Sequence, residues 1–181
     1  MSFTRQQLEK WIGEIEVKAD LVYDVGGSQK SIKDRVKYWD VKEYKVLDLP
    51  KWDLNYDWGD VNYVDIIARD PGNIVFCIEV SEYLFNPVQA LENISRYLME
   101  GGILYMSFHF VYPIHNPKGT DYLRYTPDGV KRLLKETGFK VVEMVDRESR
   151  VDFKQIYKAE GMHTMDIDNN IIGTLVKAIK I

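Results

Sequence analysis

The chain has 181 residues but only one cysteine, three histidines and six prolines. A single cysteine excludes a disulfide framework, and Cys77 lies in the apolar run Ile74-Val75-Phe76-Cys77-Ile78, where it reads as a small buried hydrophobe. The histidines at 109, 115 and 163 do not combine with it into compact ligand spacing, so no metal site is expected. Positive charge is not in excess. Lys and Arg total 24 against 28 Asp and Glu, a net charge of -4, too little basic surface to cover a phosphate backbone, so no nucleic-acid partner is expected. No apolar run reaches the length of a membrane span. The segment from Met1 to Asp20 mixes Arg5, Glu9, Lys10, Glu14, Glu16 and Lys18 with Leu8, Trp11, Ile12 and Ile15, and so lacks the apolar core of a signal peptide. The expectation is a cytoplasmic protein with no membrane contact. No G-x-S-x-G elbow is present, and a dinucleotide fingerprint starting at Gly26 fails at Ser28 and Ser31, which disfavours a nicotinamide oxidoreductase.

What is present suits one globular domain over residues 1–181. Hydrophobic residues make up 45% and aromatics 13% of the chain, enough to remove roughly 70% of the unfolded surface from water. Leu8, Trp11, Ile12 and Ile15 recur at helical spacing behind Thr4, which predicts an amphipathic helix from Thr4 to Lys18, N-capped by Thr4, lying over a sheet or shielding a site. Leu21 to Val25 reads as a strand running into Gly26-Gly27-Ser28 and a polar segment from Gln29 to Val36, the opening of a strand-helix unit. Glu43 to Leu49 suits a second strand delivering Asp48 at its carboxyl end. Between Lys51 and Asp70 only a short strand near Asp53 and a helix after Asp60 are expected, whereas Asn73 to Ile78 is strongly strand-forming.

Asn86-Pro87 caps and opens a helix that carries Val88, Leu91, Ile94, Tyr97 and Leu98 on one face and is closed by Gly101-Gly102. Ile103 to Phe110 follows as a strand, Thr126-Pro127-Asp128 opens a helix ending at Gly138, and Phe139 to Val145 and Ile171 to Ile179 supply two more strands. Alternating strands and helices argue a parallel sheet between helical layers, whose ligand crevice lies beyond the carboxyl ends of the strands. The core spans residues 19–145, with the helix at 1–18 before it and a connector and last strand over 146–181.

Four features at those strand ends carry chemistry. Around Gly26 and Gly27, missing side chains let backbone N–H groups approach a ligand, or simply make a tight turn. Asp48 stands where a carboxylate accepts both hydroxyls of a ribose, or caps a turn. Asp53 could receive an exocyclic amine, but in a tract full of aspartates a plain turn or capping role is the stronger reading. The loop from His109 to Thr126 holds His109 and His115 as candidate bases and Arg124 as a carboxylate or phosphate holder, unless Asp121 and Arg124 pair to fix the loop.

Taken together these segments resemble the class I S-adenosylmethionine-dependent methyltransferases, over about residues 19–145. Leu21 to Ser28 is similar to the family's first motif and Tyr44 to Leu49 to its ribose-binding motif. Ile78 to Leu84 followed by Arg96-x-Leu98-x-x-Gly101-Gly102 resembles the segment after its fourth strand and the helix end beyond it. Tyr112-Pro113-x-His115 and Asp121-Tyr122-x-Arg124-Tyr125-Thr126 are similar to a subgroup signature. Ser28 and Tyr83 depart from the pattern, standing where the family has a glycine and commonly a histidine. The resemblance implies a three-layer Rossmann-like α/β fold with a seven-stranded, mostly parallel sheet whose last strand is antiparallel. It implies S-adenosylmethionine as cofactor, with S-adenosylhomocysteine as product, contacted by Asp24, Gly26, Gly27, Ser28, Asp48, Asp53 and Glu79. A small-molecule or sugar-like acceptor would meet Tyr112, Asp121 and Arg124, with His115 or His109 as base. The alternative is a catalytically degenerate methyltransferase fold serving as a partner subunit.

Overall fold

The computed structural model describes residues 1–58, 71–114, 119–161 and 170–181. Helix α1 runs from Phe3 to Ile12, followed by strands β1 (Glu16–Val25), β2 (Tyr38–Leu47) and β3 (Gly72–Cys77). Helix α2 (Pro87–Tyr97), strand β4 (Leu98–His109), helix α3 (Pro127–Glu136), strand β5 (Phe139–Glu148), helix α4 (Phe153–Ala159) and strand β6 (Ile171–Lys180) complete the order. The strands form one sheet in the order β2-β1-β3-β4-β6-β5. Strands β1 to β4 pair in parallel, and β6 runs antiparallel to both of its neighbours, as expected of the last strand.

Six strands are seen among the described residues where seven were expected. The strand anticipated near Asp53 is not formed. The Asp53 carboxylate instead accepts from the amide and side chain of Asn55, each at 3.0 Å, and its carbonyl accepts from the Trp58 indole at 2.7 Å, which curls the segment into turns. The helix anticipated after Asp60 lies outside the described residues.

The sheet separates two apolar clusters. Leu21, Tyr23, Val25, Val75, Cys77, Leu104, Met106 and Phe108 face α2 and α3, through Leu91, Ile94, Val130 and Leu134. Val22, Ile74, Phe76 and Tyr105, the intervening residues of the same strands, face α1 through Leu8, Trp11 and Ile12. Each fully buried aliphatic side chain contributes about 1.5–3 kcal/mol. Both inner helices start as their sequences predict: Asn86 accepts from the Gln89 amide, Thr126 accepts from the Gly129 amide, and each is followed by proline.

Three expectations are corrected. Helix α1 is capped by Ser2, not Thr4, and stops at Ile12 with Gly13 as its C-cap, so Ile15 to Lys18 do not continue it. Ile15 keeps helical spacing, but Val17 already alternates with exposed neighbours in β1. Between β1 and β2 no helix forms over residues 26–37, and the crossover is a chain of turns. Finally, β4 begins at Leu98, so the Gly101-Gly102 pair lies inside the strand rather than closing a helix; the register between β3 and β4 shifts opposite it, between Gly72 and Ile74.

Candidate functional site

Because β1, β2, β3 and β4 are parallel, Val25, Leu47, Cys77 and His109 end at one edge of the sheet, and Val25 stands beside both Leu47 and Cys77 in the register. The chain leaves β1 through Gly26, whose φ of +76 is open to glycine at low cost. A Cβ there would meet the Val80 side chain at 2.5 Å, and one on Gly27 would fall 2.2 Å from Asp24 Oδ2. Asp24 therefore lies beneath the turn. Its buried carboxylate accepts from Tyr44 Oη at 2.5 Å and from the Ile32 amide at 3.0 Å, tying the helix-free crossover to β1 and β2. Burial pushes its pKa up, against the opposing effect of those two donors.

Asp48 follows β2 directly and is half-buried. Its Oδ2 accepts from the Ser28 amide at 3.1 Å and from the Ser28 hydroxyl, while Oδ1 accepts from the Leu49 amide at 2.8 Å. Three donors leave acceptor capacity on a carboxylate, which takes about four. The glycine turn and the Asp48 carboxylate are thus brought together, with Ser28 bridging them.

Beyond β3 the chain enters a second, buried arrangement. Glu79 has φ +59, the left-handed conformation, uncommon for a residue with a side chain. Its amide donates to Ser107 Oγ at 2.7 Å, the Ser107 hydroxyl donates back to Oε1 at 3.0 Å, and Arg147 Nη1 donates to Oε1 at 2.8 Å. Nε2 of the buried His109 sits 3.2 Å from Glu82 Oε1 and 3.5 Å from Glu79 Oε2. Burial drives the His109 pKa down and the two carboxylates drive it up further, leaving it at about 9. Glu79 is the converse. Burial raises its pKa, but His109 and Arg147 outweigh that and hold it well below the ordinary carboxylate range. An imidazolium clasped between two carboxylates has no lone pair to offer at neutral pH, so His109 holds charge here rather than taking protons. Its ring lies tilted by 33° against that of Tyr112, with centroids 4.2 Å apart.

Helix α1 closes this cluster from outside: the Thr4 carbonyl accepts from Arg147 Nη2 at 3.3 Å, and Gln7 exchanges hydrogen bonds with the backbone of Glu148. Helix α1 thus lies over the sheet, one of the two placements its sequence offers. Glu82, Arg147 and Ser107 were missed. The alternation of β4 places Ser107 and His109 on one face with Tyr105, which signals Ser107, but nothing local in β5 marks Arg147.

The loop after β4 is held internally. Arg124 makes a two-pronged ion pair with Asp121, at 2.5 and 2.7 Å, and donates to the carbonyls of Tyr112, Pro113 and Leu123. That is the loop-fixing arrangement, which leaves the Arg124 fork directed at protein groups. Asp53 is likewise engaged in its own turn. His115 lies outside the described residues, as do residues 116–118. Among the described residues no three His, Cys, Asp or Glu side chains are grouped to hold a metal ion, and no helix is long and apolar enough to cross a membrane.

No protein-family model and no curated protein matches the chain. Solved structures do. An S-adenosylmethionine-dependent methyltransferase from Mesorhizobium loti superposes with a TM-score of 0.56 at 12% identity, over 98% of each chain. One from Methanosarcina mazei gives 0.53 at 10% identity, over 92% of this chain and 94% of that one. The cyclase SpnF gives 0.52 at 12% identity, over 96% of this chain and 80% of its own, so enzymes of different description share the architecture. From sheet order, layering and these superpositions together, the chain has the three-layer fold of the class I S-adenosylmethionine-dependent methyltransferases, the family its strand-end motifs resemble.

Proposed function

We propose that the protein transfers a methyl group from S-adenosylmethionine to a small-molecule or sugar-like acceptor. The observation that carries this reading is the pairing of a glycine turn after β1 with a half-buried carboxylate after β2, held within hydrogen-bonding distance of each other through Ser28. The donor set suits the cofactor. Gly26 and Gly27 let the turn pack tightly against Val80 and Asp24 where a side chain would collide, and Asp48 keeps acceptor capacity for a diol.

In this reading the backbone at Gly26, Gly27 and Ser28 meets the amino-acid end of the cofactor, Asp48 meets the ribose, and Asp53 stands toward the adenine. Asp24 contributes from below, by fixing the shape of the turn. When bound, S-adenosylmethionine supplies an already activated methyl group, so the task left to the chain is alignment of a nucleophile and exclusion of water. Glu79 and the network behind it shape the wall facing the reacting centre, and Tyr112, Asp121 and Arg124 shape the acceptor side. Where the acceptor is a hydroxyl, His115 is the proposed proton acceptor.

Calorimetric titration with S-adenosylmethionine, S-adenosylhomocysteine and, as control, NADH tests the reading. Micromolar binding of the adenosyl pair alone is expected. Absence of both from folded protein overturns it in favour of a non-catalytic partner subunit, the reading that the Ser28 hydroxyl on Asp48 would then explain.

A further inference from the structure

Three strand-end loops each present one aromatic ring to solvent at the same place. Tyr56 follows β2, Phe85 follows β3 and Tyr122 follows β4, and their exposures are 58%, 50% and 48%. The rings of Tyr56 and Phe85 lie 6.0 Å apart at 83°, and those of Phe85 and Tyr122 lie 5.6 Å apart at 88°. Singly exposed aromatics are ordinary, but a cluster assembled from three loops is a patch.

The cluster is held by specific bonds. Asn55 Oδ1 accepts from the amides of Phe85, at 2.7 Å, and Asn86, at 3.2 Å, while its Nδ2 donates to the Tyr83 carbonyl at 3.2 Å. From the other side, the Tyr122 amide donates to the Glu82 carbonyl at 2.7 Å. Both outer loops are therefore fastened to the one segment 82–86 that follows β3, which fixes the ring spacing.

We propose that this rim binds the planar ring of an uncharged acceptor, an inference that rests on the methyl-transfer reading for the acceptor's fate but not for the recognition itself. The rim sits at the carboxyl edge of the parallel strands, where the crevice of such sheets lies. Near-perpendicular neighbouring rings form a herringbone that a further ring extends, by the edge-to-face contacts aromatic pairs prefer. Three half-exposed rings offer on the order of 300 Å², far short of the roughly 800 Å² per partner of a stable protein interface, and suited to a small ring system. The charge beside Tyr122 is already matched, Arg124 against Asp121, so the rim selects neither anions nor cations. The Tyr56 and Tyr122 hydroxyls supply hydrogen-bonding groups for polar ring substituents.

The test is calorimetry on the full chain with 2-naphthol, a neutral planar probe, against its saturated analogue decahydro-2-naphthol, alongside S-adenosylhomocysteine. Saturable binding of 2-naphthol is expected, at least about tenfold tighter than the saturated alcohol and weakened about tenfold in both Phe85→Ala and Tyr122→Ala. Both variants must keep the wild-type circular dichroism and S-adenosylhomocysteine affinity. Equal affinity for the two alcohols, or 2-naphthol binding indifferent to both substitutions, overturns the proposal. So does self-association that Phe85→Ala abolishes in a protein that ignores 2-naphthol. If S-adenosylhomocysteine fails to bind while 2-naphthol still requires Phe85, the ring site stands and the methyl-transfer reading falls; the reverse pattern separates the two the other way.

Discussion

Ser28 and Asp48 close the carboxyl ends of β1 and β2 against each other, with both the amide and the hydroxyl of Ser28 donating to one carboxylate oxygen. In the proposed complex the hydroxyl competes with a ribose hydroxyl for that oxygen, whereas the amide does not depend on the side chain. Ser28→Gly should therefore bind S-adenosylmethionine several-fold more tightly, and Asp48→Ala should lose at least about tenfold, or about 1.4 kcal/mol. Calorimetry on both variants decides. Weaker binding by Ser28→Gly would show that the hydroxyl orients Asp48 instead of competing for it.

The His109 pKa sets an alkaline limit on stability. Its folded value is about 9 against an ordinary value of 6.5, so its stabilising contribution is full below pH 6.5 and is lost as pH rises through about 9. The loss should be on the order of 3 kcal/mol. Urea unfolding at pH 6.5, 8 and 9.5 should show the decline, and His109→Gln should flatten it. A wild-type protein equally stable at pH 6.5 and 9.5 would contradict the charged cluster.

Arg147 and Glu79 should prove strongly coupled. Removing the arginine takes one of two cationic partners from the half-buried Glu79 beside its left-handed backbone, so Arg147→Met is expected to cost about 1.5–3 kcal/mol. Glu79→Gln combined with Arg147→Met should cost clearly less than the sum of the single changes. A double-mutant cycle by chemical denaturation measures this, and simple additivity would refute it.

Asn93, fully buried in α2, holds the segment after β2 through its backbone. Its Nδ2 donates to the carbonyls of Leu54, at 3.1 Å, and Tyr56, at 2.7 Å, and Oδ1 accepts from the Trp58 amide at 3.1 Å. Asn93→Leu should cost about 3 kcal/mol by orphaning those groups. It should also shift tryptophan emission to the red, because Trp58 is buried edge-on against Trp52 and Tyr97. Unchanged emission and stability would show that the segment is held otherwise.

Residues whose role follows from their neighbours in the chain were legible. Asn86-Pro87 and Thr126-Pro127 announced their helices because capping is a matter of three or four consecutive residues, and Asp48 could be placed because a strand end and a proline bracket it. The start of β1 was misread because Ile15 satisfies helical spacing that Gly13 has already interrupted. The buried charge was illegible for a different reason. Glu79 meets Arg147 across 68 positions, through a contact that only the sheet order creates. His109 reads as a base from its residue type, and the two carboxylates that push its pKa up to about 9, Glu79 and Glu82, come beside it only through the fold.

The position of β6 between β4 and β5 also ties the candidate site to the edge of the sheet. Among the described strands β5 pairs with β6 alone, so β5 holds its place in the sheet only through residues 171–180. Arg147 travels on β5, and with it the partner that stabilises the left-handed backbone at Glu79. The wall of the crevice at Glu79 thus depends on two strands remote from it in sequence, and a change that unpairs β6 would also withdraw Arg147 from Glu79.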